Sequence, residues 1–198
     1  MSTAIPYIDE NHPITGLTNA KLGIWLFLAS EVMLFGALFS SYLILKMGAP
    51  TWLSGREVLD LRLGSLNTLI LIASSVTMLF ANRALNRREF SKFKWLLIAT
   101  LALSLAFLAI KGLEYQHKFN QGVFPSTHNF YALYFTLTGF HALHILGGIL
   151  VNGYFLTVGA KLWQTRPRQY TGRLECASLY WYFVDVVWVF LFVTLYLL

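Results

Sequence analysis

The chain has 198 residues, of which 57% are hydrophobic and only 12% charged. Soluble domains carry about 25% charged residues, so the composition excludes a soluble domain and indicates a membrane protein. The net charge of +6 needs no nucleic acid: its excess lies in two loops where anionic lipid headgroups are the ordinary partner. The single cysteine, Cys176, excludes an internal disulfide and a cysteine cluster for zinc or iron–sulfur.

Residues 1–20 read as a polar, Pro-containing N-terminal arm, and they lack the basic and apolar regions of a cleaved signal. Residues 21–198 then read as one all-α transmembrane domain of five helices, at about 22–46, 63–84, 94–117, 129–160 and 176–198. A spanning helix needs about 20 apolar residues. The first segment meets that length and can serve as its own insertion signal. A loop with Gly48, Pro50, Trp52 and Gly55 follows. The second helix carries Asn67, Thr68, Ser74, Ser75 and Thr77, which can bond across helices. A short basic link, 83–94, makes the second and third helices antiparallel neighbours. The third is short unless Lys111 snorkels and the helix runs on towards His117. The fourth is long enough to tilt or protrude. Small residues suit close packing at Gly36 and Ser40 on the first helix, and at Gly147 and Gly148 on the fourth.

Basic residues set the expected orientation. With the N-terminus inside, ten lysines and arginines fall on the inner side and five on the outer. The positive-inside rule therefore favours N-terminus inside and C-terminus outside.

Three groups of polar residues interrupt the apolar helices. Glu31 lies nine residues beyond Leu22, roughly 13 Å into the membrane at 1.5 Å per residue. Asp185 lies nine residues beyond Cys176 on a parallel helix, at similar depth, with Trp181, Tyr182 and Trp188 on its own face. An intramembrane acid is costly and needs protein, water or a partner group. These two read either as a proton-exchanging pair or as neutral ties between helices. The fourth helix carries a polar stripe of Tyr134, Thr138, His141, His144, Gly148 and Asn152, which needs a protein-facing environment. His141 and His144 read as hydrogen-bonded structural histidines or as metal ligands. Glu114 and His117 match half of a di-iron Glu-x-x-His pair, yet Lys111 and Lys118 offer Glu114 simpler partners. No phosphate loop or nucleophile elbow is present, so no catalytic residue is assigned.

Residues 25–35 (WLFLASEVMLF), 134–147 (YFTLTGFHALHILG) and 179–188 (LYWYFVDVVW) resemble, in order, the signatures of subunit III of haem–copper respiratory oxidases, in its five-helix bacterial form. The resemblance runs from Lys21 to Leu198 and implies an N-terminus inside. It implies an accessory subunit in the bacterial cytoplasmic membrane. Such a subunit has no redox cofactor or metal of its own; haem and copper belong to partner subunits. Subunit I is the flank contact, and subunit II and a small subunit IV are further partners. A bound phospholipid cleft, proton uptake, oxygen access and protection of the catalytic subunit are the implied roles. Glu31, His141, His144 and Asp185 match the family's buried polar positions. Tyr182 stands where the family usually has histidine, which puts an imidazolium beside Asp185 in doubt. Trp25, Asn67, Trp181 and Trp188 are candidates for the lipid cleft or for helix contacts.

These readings predict an accessory subunit of a proton-pumping terminal oxidase, most simply cytochrome c oxidase. Glu31 is expected to pack towards His141 or His144, with Asp185 completing the network. A quinol oxidase subunit III or a nitric oxide reductase accessory subunit is the near alternative. A stand-alone membrane metalloenzyme using His141 and His144 is the alternative of another class, and a small transporter ranks last because no helix shows the half-helix break of that class.

Overall fold

A computed structural model of the chain describes residues 16–198; most of the predicted N-terminal arm, residues 1–15, lies outside them. The helices are α1 (Asn19–Gly48), α2 (Gly55–Val58), α3 (Leu61–Asn86), α4 (Phe90–Asn120), α5 (Asn129–Leu156), α6 (Ala160–Thr165) and α7 (Pro167–Phe192), the last running on into a π-helical turn, Val193–Leu197. Among the described residues, α1, α3, α4, α5 and α7 with its final turn are long and apolar enough to cross a membrane. The fold is an all-α bundle of five spanning helices.

Local chemistry fixes where these helices begin. Thr18 Oγ1 accepts from Lys21 N at 3.4 Å, and Asp60 accepts from Arg62 N and Leu63 N at 2.9 and 3.2 Å. His128 Nδ1 accepts from Phe130 N at 3.0 Å. Each side chain satisfies an amide that the first helical turn leaves unpaired. Pro167 opens α7, where its missing N–H costs nothing. The α3–α4 turn closes with Glu89 N on Ala84 O and Arg88 N on Leu85 O, both at 2.9 Å, with Arg88 in the left-handed region (φ 60°). That is a Schellman closure with arginine where glycine is usual.

α7 is the axis of the bundle, packed against α3, α5 and α1, while α4 lies against α3 and α5. α1 and α7 run parallel: Lys21 pairs with Glu175 at 2.9 Å, and Phe27, Phe35 and Phe39 climb beside Tyr180, Phe183 and Phe190. α1 buries only Leu28, Phe35 and Tyr42, a seam one residue wide at a seven-residue repeat. Ile24, Glu31, Leu38 and Phe39 flank this seam half-buried, and most of the remaining α1 side chains are exposed.

Several boundaries and contacts differ from the sequence expectation. α7 starts at Pro167 instead of near 176, because Pro167, Gly172 and the charges of Arg168, Arg173 and Glu175 imitate a loop although the proline sits at a legal first position. α5 stops at Leu156, and residues 157–160, expected to extend it, form a turn and the first residue of the short α6. α4 does run past His117, to Asn120, but Lys111 does not snorkel: it is only 4% exposed and points into the bundle. Gly36 and Ser40 lie on the open face of α1, and a Cβ at Gly36 would meet nothing within 4 Å among the described residues. Gly55 has the opposite role. A Cβ there would fall 1.7 Å from Leu195 O, so the glycine lets α2 press on the C-terminal turn.

Candidate functional site

The polar residues of the helices form three connected groups around α7. The first joins α1 to α5. His144 Nε2 lies 2.8 Å from Glu31 Oε2, and His144 Nδ1 lies 2.7 Å from Phe140 O. A carbonyl only accepts, so Nδ1 carries a hydrogen and donates it. The remaining contact therefore holds one proton between Nε2 and Oε2, as imidazolium–carboxylate or as imidazole–carboxylic acid. Side-chain exposure of 15% and 14% for the two residues leaves the pair at the edge of the bundle. Phe35 covers the imidazole edge at 5.1 Å, and Tyr180 Oη donates to His144 O at 2.9 Å.

The second group joins α7 to α3. Ser178 Oγ accepts from Asn82 Nδ2 at 3.3 Å, Trp181 Nε1 donates to Ser74 Oγ at 3.2 Å, and Trp188 Nε1 donates to Thr68 Oγ1 at 3.1 Å. Between the two indoles, Asp185 Oδ2 accepts from Ser75 and lies 3.4 Å from Ser74 Oγ. Residues 178, 181, 185 and 188 are spaced three or four apart, which lines them along one helical face. Trp181 fits because α5 offers it Gly148: a Cβ there would meet Trp181 Cζ3 at 2.5 Å.

The third group, towards the other end of the bundle, centres on Lys111. Its ammonium donates to Glu114 Oε2 at 2.9 Å, Tyr134 Oη at 3.2 Å and Tyr196 Oη at 2.7 Å. Both tyrosine hydroxyls donate to Glu114 Oε1, at 2.8 and 2.7 Å. The rings of Tyr115, Tyr134, Trp188 and Tyr196 surround the ammonium at 5.0–5.7 Å, a cation–π cage in a dry setting. A buried ion pair needs this degree of hydrogen bonding to offset its desolvation.

The sequence-derived candidates thus separate. Glu31 and Asp185 stand at one depth, each ten residues past the Lys21–Glu175 contact. They face different neighbours, however: Glu31 takes His144 on α5, and Asp185 takes the serines of α3 rather than completing Glu31's network. His141 is fully buried between Phe107 and Trp188, with ring centroids 5.7 and 5.2 Å away. The two histidines do not converge, and among the described residues no three His, Cys, Asp or Glu side chains gather as a metal-ligand set. His117 turns to Gln121 at 3.0 Å and Lys118 to Val58 O, so neither joins Glu114. Tyr182 is half-buried, and its hydroxyl has no hydrogen-bond partner among the described residues. Trp25 is 53% exposed on α1, whereas Asn67, Trp181 and Trp188 are fully buried. The Lys111 cage was missed as a site. Its signal was Lys111 and Glu114 three residues apart, read as simple partners with a snorkelling lysine; the pairing is present, but it is buried.

A groove of about 690 Å³ opens between α1, α5 and α7, lined by Phe27, Leu150, Val151, Tyr154, Tyr180 and Arg173 among others. Its wall is almost entirely apolar apart from the arginine.

Comparison with known proteins fits this architecture. A family model described as Cytochrome c oxidase subunit III matches residues 7–198. The chain is 38% identical to cytochrome c oxidase subunit 3 of Synechocystis, covering 89% of this chain and 74% of that protein. It is 33% identical to cytochrome c oxidase subunit 3 of Bacillus subtilis, over 91% and 86%. It is 32% identical to cytochrome bo(3) ubiquinol oxidase subunit 3 of Pseudomonas aeruginosa, over 96% and 90%. Similarity of that extent, on a bundle of five spanning helices, identifies a multi-pass membrane protein that belongs to the cytochrome c oxidase subunit III family.

Proposed function

We propose that the chain is the accessory subunit III of a proton-pumping cytochrome c oxidase in a bacterial cytoplasmic membrane, with its N-terminus inside. In this reading it packs on the flank of subunit I, in a complex that also holds subunit II and a small subunit IV. Haem and copper reside in the partner subunits and none in this chain. The groove between α1, α5 and α7 takes a phospholipid acyl chain, with Arg173 at the headgroup end. The subunit sustains proton uptake, oxygen access and the working life of the catalytic subunit.

The observation that carries the reading is the Glu31–His144 contact, one proton shared across 2.8 Å between α1 and α5. An acid at this depth is expensive, and a purely structural tie between two apolar helices needs no titratable pair. The test is Glu31→Gln in the intact complex. A glutamine keeps a hydrogen bond to Nε2 but cannot give up or take a proton. Assembly is expected to persist while turnover lifetime and proton stoichiometry fall. Unchanged values for both would sink the proton-linked role and leave the pair a helix tie.

A quinol oxidase is the second reading, favoured by the Pseudomonas aeruginosa relative, which is nearly as similar as those named for cytochrome c oxidase. Copurification separates the two: a copper-carrying subunit II supports the first, and a copper-free subunit II with quinol turnover supports the second. Stoichiometric metal in this chain purified alone would overturn both in favour of a metalloenzyme.

A further inference from the structure

We infer that the bundle interior binds ordered water in the layer around Trp188, held by Asn67 of α3 and His141 of α5. Both residues are 0% exposed. Among the described residues neither amide atom of Asn67 and neither ring nitrogen of His141 has a hydrogen-bond partner. Trp188 touches both of their helices. Thr68, next to Asn67, accepts from Trp188 Nε1 at 3.1 Å. The Trp188 ring lies 5.2 Å from the His141 ring and 5.3 Å from Lys111 Nζ. Buried polar atoms are nearly always paired, with protein or with water, and four orphans on the two helices that meet at Trp188 call for a ligand.

The chemistry of the four atoms selects that ligand. Asn67 presents one acceptor and an amide donor, and a neutral imidazole presents one of each. A cation would face the two donors and the Lys111 ammonium, and an anion would face the two acceptors. Lys111 and Glu114 are already engaged with each other and with Tyr134 and Tyr196, so they supply no free partner. Water both donates and accepts. Interior waters occur about once per 27 residues and bond two to four polar partners, and a water between Asn67 and His141 takes one bond from each side chain.

The test is the structure of the intact oxidase complex at a resolution that shows ordered water, for the natural chain, His141→Gln and Asn67→Leu. Density is expected about 2.7–3.2 Å from polar atoms of both side chains. It should persist with His141→Gln, which keeps a donor and an acceptor, and vanish with Asn67→Leu. In parallel, Asn67→Leu and His141→Leu should each lower the melting temperature of the complex. The double variant should fall no further than the worse single one, because the shared water is already lost. Absent density in the natural chain, a direct Asn67–His141 bond, or additive losses of melting temperature would each overturn the proposal. Should Asn67→Leu fail to assemble, the densities of the natural chain and His141→Gln decide. None of these outcomes depends on which oxidase houses the chain.

Discussion

At the scale of single residues, Lys111 shows how much a buried charge depends on its surroundings. Its ammonium donates to three oxygens and sits inside four aromatic rings. Lys111→Met would leave Glu114 buried with two phenols and no cation. Breaking such a pair on one side costs about 3–5 kcal/mol, so the purified complex should lose melting temperature and yield. Lys111→Met combined with Glu114→Met replaces the pair with volume-matched apolar groups and should recover most of the loss. A double variant as unstable as the single one would mean that the tyrosine hydroxyls, not the charges, hold this end together. Gly148 is the converse case, a residue defined by what it lacks. Gly148→Ala places a methyl 2.5 Å from the Trp181 ring, forcing the indole away from Ser74. Overpacking of this kind costs about 1–3 kcal/mol, visible as a lower melting temperature with the spanning helices still formed by circular dichroism.

At the scale of elements, the α3–α7 seam is a ladder of mixed strength. Trp181 and Trp188 bring large apolar surfaces and one indole donor each, while Asp185 has Ser75 close and Ser74 at 3.4 Å. Ser74 is also within 2.7 Å of its own helix's Leu71 O, so its single hydrogen is committed there and Ser75 is the principal donor to the acid. Asp185→Asn keeps an acceptor for Ser75 and should leave helix packing and assembly intact. Trp181→Ala empties the hollow over Gly148 and should cost about 3–5 kcal/mol. Equal damage from both would show that the ladder rests on the charge of Asp185. The seam also marks the limit of what the sequence discloses. Spacing placed Trp181, Asp185 and Trp188 on one face, and depth set Asp185 level with Glu31. Periodicity within a helix cannot say which neighbour that face meets, so the serines of α3 stayed invisible as its partners. Glu31 and His144 were named, but their union depends on α1 lying beside α5, a tertiary fact. Lys111 was paired with Glu114 by spacing, but its expected snorkelling failed for the opposite reason: a lysine near the end of a spanning helix ordinarily reaches for the interface. Only Tyr134 and Tyr196, from elements distant in the chain, make it a core. The start of α7 was hidden by polar composition, although Pro167 is a standard opening residue.

At the scale of the whole molecule, charge is segregated by end. Arg83, Arg87, Arg88, Lys92 and Lys94 flank the α3–α4 turn; Lys161 lies on α6, Arg166 at its junction with α7, and Arg168 and Arg173 at the start of α7. The parallel course of α1 and α7, tied by Lys21 and Glu175, brings the start of α1 to this same end. The opposite end carries the α4–α5 turn, α2 and the C-terminus, where Lys46 donates to Leu198 O at 3.1 Å. Lysine and arginine in short loops remain on the cytoplasmic side during insertion, so the basic end should face inward. Cysteine labelling in whole cells checks this. On a Cys176→Ser background, Asn86→Cys sits exposed beside the α3–α4 turn and Ser126→Cys sits exposed between α4 and α5. A membrane-impermeant maleimide should label Ser126→Cys in intact cells and Asn86→Cys only after the membrane is opened. The reverse pattern would invert the molecule. It would then place the Glu31–His144 proton nearer the outer surface through α1, and proton uptake from the inside could no longer be its role.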